Sequence, residues 1–364
     1  MEYKILGDYI NLVDLRNREL GITNLLGVSI EKRFIPSIAN IVGTDLSRYK
    51  VVKNGQFAYG PVTSRNGEKI SIALLNGEDC IISSSYTVFE VTRKDELDPE
   101  YLMLWFSRPE FDRYARYRSH GSVREIFDWE ELCNVKLPIP PIEKQKKIVK
   151  AYKTITDRIA LKQRINDNLA ATAQAIYKKM FVDDIDFASL PDGWKISALE
   201  NVAKLSAGGD KPAVYSDYPT GTCNVPIFSN GIDEEGLYGF TNKAKIFEES
   251  VTVSARGTVG YVFLREKPYV PIVRLISVVP NQMIITAKYL LFALSAIDLH
   301  STGTSQQQIT VPDFKKRQIL VPDNQSLNTF MQKITPLFNA INDNKTEIES
   351  LILLQTNFLT LLSN

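Results

Sequence analysis

Between Arg108 and Arg124 the chain sets five arginines, Arg108, Arg113, Arg116, Arg118 and Arg124, among the aromatics Phe111, Tyr114 and Tyr117. A guanidinium is a planar fork of donors that fits a guanine edge or a phosphate, and an aromatic ring packs on sugar or base. The chemistry open to this stretch is therefore recognition rather than bond breaking, with a solvated helix face as the plainer reading of the same residues. His120 and Ser122 belong to the same polar loop. A second loop, Thr304, Ser305, Gln306, Gln307 and Gln308, carries amides that can pair bidentately with adenine. Gly121 and Gly303 mark the two loops and lie 182 positions apart, half of the 364 residues. Polar interruptions between apolar runs add Lys53, Arg65, Asn66, Ser84, Ser85 and Tyr86 in the first half, and Lys211, Ser229, Asn230, Arg256 and Thr258 in the second.

Residues for catalysis are scarce. Two histidines, His120 and His300, make a histidine-built metal site or a Ser-His-Asp triad hard to assemble. Cys80, Cys133 and Cys223 are scattered in neither a disulfide nor a zinc spacing. No glycine-rich phosphate loop opens a helix, and "AGGDKP" at 207–212 reads as a turn. A nuclease-like pattern of Pro322-Asp323 with Asp343-Asn344-Lys345 falls on a helical stretch rather than on adjacent strands.

The elements that would position the loops show a duplication. "LPIPPIEKQKKIVKAYKTITDRIA" at 137–160 aligns without a gap with "ILVPDNQSLNTFMQKITPLFNAIN" at 319–342. Apolar residues recur at helical seam spacing through Ile148, Tyr152, Ile155, Ile159, Leu169 and Ile176, and again through Phe330, Ile334, Leu337, Ile341, Leu351 and Phe358. Such stripes predict two long helices packed on one another as a coiled coil, each about 60 Å long. Lys162 and Asn344 take equivalent polar seam positions that can fix register. Pro336 either kinks the second helix or marks its regular start. Ahead of each helix come short β-branched or aromatic runs and a Tyr-Leu helix, "PEYLMLWFSR" from 99 and "AKYLLFALSA" from 287. The expected organisation is a domain at 1–140, a helix at 141–182, a second domain at 183–322 and a second helix at 323–364. The fold class is α+β, two mixed α/β domains and two long helices in a pseudo-two-fold internal repeat.

With 44% hydrophobic and 23% charged residues the chain is expected to fold as a soluble globular protein. Its net charge of +1 does not announce a nucleic-acid partner, but 142–182 holds ten Lys/Arg against three Asp/Glu, and 324–364 only two against three. No run approaches the roughly 18 apolar residues of a membrane span and no signal peptide opens the sequence, so a cytoplasmic protein with no membrane partner is expected.

"LPIPPIEKQKKIV", "LPDGW" at 190–194, "GTSQQQIT" ahead of the second "ILVP", and the duplicated order of parts resemble the DNA-specificity subunits of type I restriction-modification systems. The second copy departs where it reads "VPDNQSLNTFM". The resemblance implies two target-recognition domains, each reading one half of a bipartite site in double-stranded DNA, separated by two antiparallel helices that set the spacer. It also implies a non-catalytic subunit without a cofactor of its own. Two modification subunits would use S-adenosylmethionine to methylate adenine, and two restriction subunits would use ATP and Mg. Antiparallel helices suit this role, because a two-fold protein then matches the dyad of the duplex. A coiled-coil scaffold that binds proteins rather than DNA stays open as the second reading, and a nuclease as the third.

Overall fold

The computed structural model describes residues 3–37, 43–64, 66–121, 124–297 and 308–362. It divides into two compact units, Met1–Gln163 with Lys345–Asn364, and Arg164–Asn344. Each unit is built on a four-stranded antiparallel sheet of short strands rich in β-branched and aromatic residues, which suit a pleated, buried surface. In the first unit the order is Ile10–Val13, Thr87–Val91, Phe57–Tyr59, Ile72–Leu74. In the second it is Ala203–Ala207, Ile276–Pro280, Ser250–Val253, Val262–Arg265. Read along the chain, both sheets place the last strand between the first and the second. The duplication is thus one of topology.

It extends to single hydrogen bonds. Tyr3–Ile5 pairs with Lys136–Pro138, and Lys195–Ala198 with Gln318–Val321. The N–H of Leu6 donates to the Val135 carbonyl (2.8 Å) and that of Leu199 to the Arg317 carbonyl (2.9 Å). The Tyr-Leu helices are Pro99–Phe106, capped by Asp98, and Ala287–Ser295, capped by Thr286; each cap accepts from the first-turn backbone N–H groups. Their tyrosines do the same work: the Tyr101 hydroxyl donates to the Pro138 carbonyl (3.0 Å) and that of Tyr289 to the Leu320 carbonyl (2.8 Å). Short helices Trp129–Cys133 and Val311–Lys315 follow, capped by Asp128 and Thr310.

The long helices run Ile142–Phe181 and Asn324–Leu361. Asp323 caps the second, accepting from the Ser326 N–H at 2.7 Å, so regular helix begins well before Pro336. Pro336 lies inside it on an exposed position, where the Gln332 carbonyl that loses its helical donor is also on an exposed residue. All twelve seam residues are buried or half-buried, Phe330 and Ile334 completely.

Within each unit the two helices run antiparallel. In the first, the Tyr152 ring meets Phe358 (5.9 Å), the Gln355 amide donates to Thr156 Oγ1 (2.9 Å), and Arg158 and Lys162 both reach Glu347. In the second, the Asn344 amide donates to Asn166 Oδ1 (2.8 Å), and the rings of Tyr177 and Phe181 meet Phe330 at 6.0 and 5.2 Å. Ascending numbers on one helix meet descending numbers on the other. The polar seam residues Lys162 and Asn344 therefore each have a polar partner across the pair, which penalises a slipped register. No helix among the described residues is long and apolar enough to cross a membrane.

The hydrogen bonds of Lys162 and then Arg158 hold the Glu347 carboxyl below its ordinary 4.5. A carboxyl depressed in the folded state adds stability above its unfolded pKa, and that stability is lost as pH falls through the folded value. Glu347→Gln is expected to flatten the loss of stability below pH 4.5. Thermal unfolding across that range checks it, and parallel pH profiles for the two proteins would refute it.

Candidate nucleic-acid interface

The arginine-rich stretch folds as the helix Pro109–Tyr117, with proline at its first turn. Its inner face is apolar, with Phe111 and Ala115 buried and Tyr114 half-buried. Asp112 fixes it from the side, accepting from the Ile70 N–H (3.0 Å) and pairing with the half-buried Lys32, whose pKa burial pushes down. Arg108 is also inside, 4% exposed, with its guanidinium over the Trp105 ring at 4.1 Å. The stretch thus divides. Phe111 and Arg108 belong to the core, while Arg113, Arg116 and Tyr117, the last 81% exposed, form the outer face.

The following loop folds back on the segment after strand Phe57–Tyr59. Thr63, 2% exposed, donates its N–H to the Glu125 carbonyl (2.9 Å) and holds Ser119 Oγ at 2.9 Å. The Phe127 N–H donates to the Pro61 carbonyl (2.8 Å), so residues 61–64 and 66 form one edge with residues 118–121 and 124–127. On it Arg116 pairs with Glu125, Arg118 Nε donates to Glu131 (2.6 Å), and His120 lies 3.7 Å from the same carboxylate. Arg124 is exposed, and the Asn66 amide reaches the Val62 carbonyl at 3.4 Å.

Ser84, Ser85 and Tyr86 form the turn at the same end of the sheet, since Thr87 pairs with Tyr59. Ser84 and Ser85 are exposed, but Tyr86 is half-buried, its hydroxyl accepting from the Val28 N–H at 3.5 Å. Tyr86 is a support for the edge more than a reader. Lys53 is not brought to this edge: it sits before strand Phe57–Tyr59, at the opposite end from Pro61. Arg65 and Ser122 lie outside the described residues.

The second unit builds its edge around Asn230. That amide donates to the Val273 carbonyl (2.7 Å) and accepts from the Ala255 N–H (2.8 Å), while its own carbonyl accepts from the Thr258 hydroxyl (2.7 Å). Both ends of the Asn230 side chain are occupied in joining three loops, so it positions the edge instead of offering its amide to a ligand. The Ile309 N–H donates to the Ala255 carbonyl (3.0 Å), the counterpart of the bond between Phe127 and Pro61. Arg256, Thr258 and Gln308 are exposed there. The Ser229 N–H is bonded to the Gly236 carbonyl (2.8 Å), and Lys211 folds its ammonium onto the Tyr215 ring at 3.2 Å. Thr304, Ser305, Gln306 and Gln307 lie outside the described residues.

Residues 37–171 and 191–353 match the family model of the type I restriction modification DNA specificity domain. The chain belongs to that family. A putative type I specificity subunit of Mycoplasma pneumoniae is 26% identical over 285 residues, covering 77% of this chain and 72% of its own. The HindI specificity subunit of Haemophilus influenzae is 21% identical, covering 87% and 88%. The crystal structure of a type I S subunit from M. genitalium superposes on the whole chain and on 96% of its own, with a TM-score of 0.61 at 14% identity. This chain is a DNA-binding specificity subunit of a type I restriction-modification system.

Two residues that position the edges of this type I specificity chain escape a reading of the sequence. Glu131 receives Arg118 from thirteen residues away, a separation with no local signal. Arg265, 3% exposed, donates to the Glu235 carbonyl (2.6 Å) and Thr252 Oγ1 (3.0 Å) and lies over the Phe228 ring at 3.5 Å. Burial pushes its pKa down to about 10. It secures a turn in which Glu234 and Glu235 hold positive φ and in which a Cβ on Gly236 would meet the Ser229 carbonyl at 2.5 Å. A charged residue ending the apolar strand "VFLR" was the available hint.

Proposed function

We propose that residues 1–140 and 183–322 each act as one target-recognition domain, reading the two halves of a bipartite site in double-stranded DNA, and that the long helices set the spacer. The subunit is non-catalytic in this reading and holds no cofactor. It works in the cytoplasm with two modification subunits, which supply S-adenosylmethionine chemistry on adenine, and two restriction subunits, which use ATP and Mg.

One observation carries the reading. The two units close their loop edges with the same backbone hydrogen bond, Phe127 to Pro61 and Ile309 to Ala255, yet present different side chains on them. The first offers Arg116 and Arg124, the second Arg256, Thr258 and Gln308. Equivalent frames with different hydrogen-bonding groups are what two readers of unlike sequences require.

Mapping methylated adenines in DNA treated with the reconstituted methyltransferase is expected to return a single bipartite motif. Two unlinked motifs, or none, would overturn the proposal. Alanine at Arg116, Arg118 and Arg124 together is expected to weaken binding about tenfold or more. Unchanged affinity at several salt concentrations would favour the protein-binding scaffold.

A further inference from the structure

The turn that enters the last strand of each four-stranded sheet occupies the same place in both units. Ser83–Tyr86 is closed by the Tyr86 N–H on the Ser83 carbonyl (3.1 Å), and Ile272–Leu275 by the Leu275 N–H on the Ile272 carbonyl (3.0 Å). Thr87 then pairs with Tyr59, and Ile276 with Val253, so each turn stands beside the loop that follows the second strand. The two middle residues are exposed in both, Ser84 and Ser85 in one, Val273 and Arg274 in the other.

The second turn is strained. Val273 has φ 52° and Arg274 φ 65°, two successive left-handed residues, a geometry in which asparagine and glycine are the usual occupants and a β-branched side chain is an outlier. Contacts from outside the turn hold it. The N–H groups of Val273 and Arg274 donate to the carbonyls of Gly209 (2.9 Å) and Gly208 (3.1 Å), and the Val273 carbonyl accepts from the Asn230 amide (2.7 Å). Gly208 is pressed so closely that a Cβ there would lie 2.7 Å from the Ile272 nitrogen. Glycine in place of Val273 would relieve the backbone, yet a valine occupies the position with its side chain 52% exposed.

We infer that the Val273–Arg274 turn is a base-reading element of the second recognition domain, with Arg274 donating to a guanine edge and Val273 packing on a neighbouring thymine methyl. The inference rests on the proposed DNA-reading role of residues 183–322. A phosphate contact would not need a strained, externally pinned backbone, because a long cation reaches the evenly spaced phosphates from many conformations. Reading a base needs a fixed origin for the side chain. Ser84–Ser85 is the counterpart in the first domain, with hydroxyls in place of an apolar group and a guanidinium.

The test is the methylation preference of the reconstituted methyltransferase on DNA randomised in either half-site. Arg274→Lys keeps the charge and loses the fork; it is expected to reduce discrimination at one position of the second half-site by about tenfold or more, with the first half-site and the salt dependence unchanged. Val273→Gly is expected to keep or raise the melting temperature while lowering discrimination at an adjacent position. Arg274→Ala weakening all sequences equally with a shallower salt dependence would mark a phosphate contact and overturn the inference, and so would unchanged preferences in all three variants. A wild-type complex with no bipartite preference would refute the proposed function itself, and this inference with it.

Discussion

Phe330→Ala is expected to cost about 4 kcal/mol, the range for deleting a fully buried phenyl ring from a packed core. Phe330 is 0% exposed on the second long helix. Its ring meets Tyr177 and Phe181 of the first long helix at 6.0 and 5.2 Å, and Tyr289 and Phe292 of the Tyr-Leu helix at 6.1 and 5.8 Å. Three helices therefore meet on one side chain, mostly through edge-to-face contacts that add to simple burial. Phe330→Leu keeps most of the volume and is expected to lose less than half as much. Urea unfolding of the two variants makes the comparison, and a loss below about 1 kcal/mol for alanine would contradict this packing.

Gln145→Ala is expected to cost about 3 kcal/mol for a different reason, the stranding of backbone groups. Gln145 is 0% exposed in the first turn of the first long helix. Its amide oxygen accepts from the Asp98 N–H (2.9 Å), and its nitrogen donates to the carbonyls of Glu96 (2.6 Å) and Pro140 (2.7 Å). One side chain thus ties the helix to the cap of Pro99–Phe106 and to the proline segment before it. Leucine should be no remedy, although the second copy has the buried Leu327 at the equivalent place, because all three backbone groups would still lack partners. Hydrogen exchange at the Asp98 amide gives a local readout beside denaturation. Protection there equal to wild type in Gln145→Ala would rule the explanation out.

The sequence made the helices legible because their repeat has no insertions. Phe127 and Ile309, Asp128 and Thr310, and every seam pair after them keep the same spacing. Upstream the register slips: Tyr101 and Tyr289 are 188 apart, and Leu6 and Leu199 are 193 apart. A fixed offset therefore recovered the seam, but not the matching of the sheets. That is why Ser84 and Ser85 stood out as polar residues while their structural counterparts, Val273 and Arg274, did not. The first edge misled in another way. The only acids visible within 108–124 are Glu110 and Asp112, whereas Glu125 and Glu131, which pair with Arg116 and Arg118, come from beyond it. Burial of Arg108 and the double engagement of the Asn230 amide are tertiary facts that residue type alone does not encode.

The division of each long helix between the two units has a consequence for the order of folding. Residues 345–364 belong with the first unit, where Leu359 and Leu362 fill its core, while Arg164–Asn344 form the second from one uninterrupted segment. On the ribosome the later-made unit holds all its parts first. The amino-terminal unit must wait, its apolar groove open, until the last stretch of its own core has been translated past a neighbour that can already close.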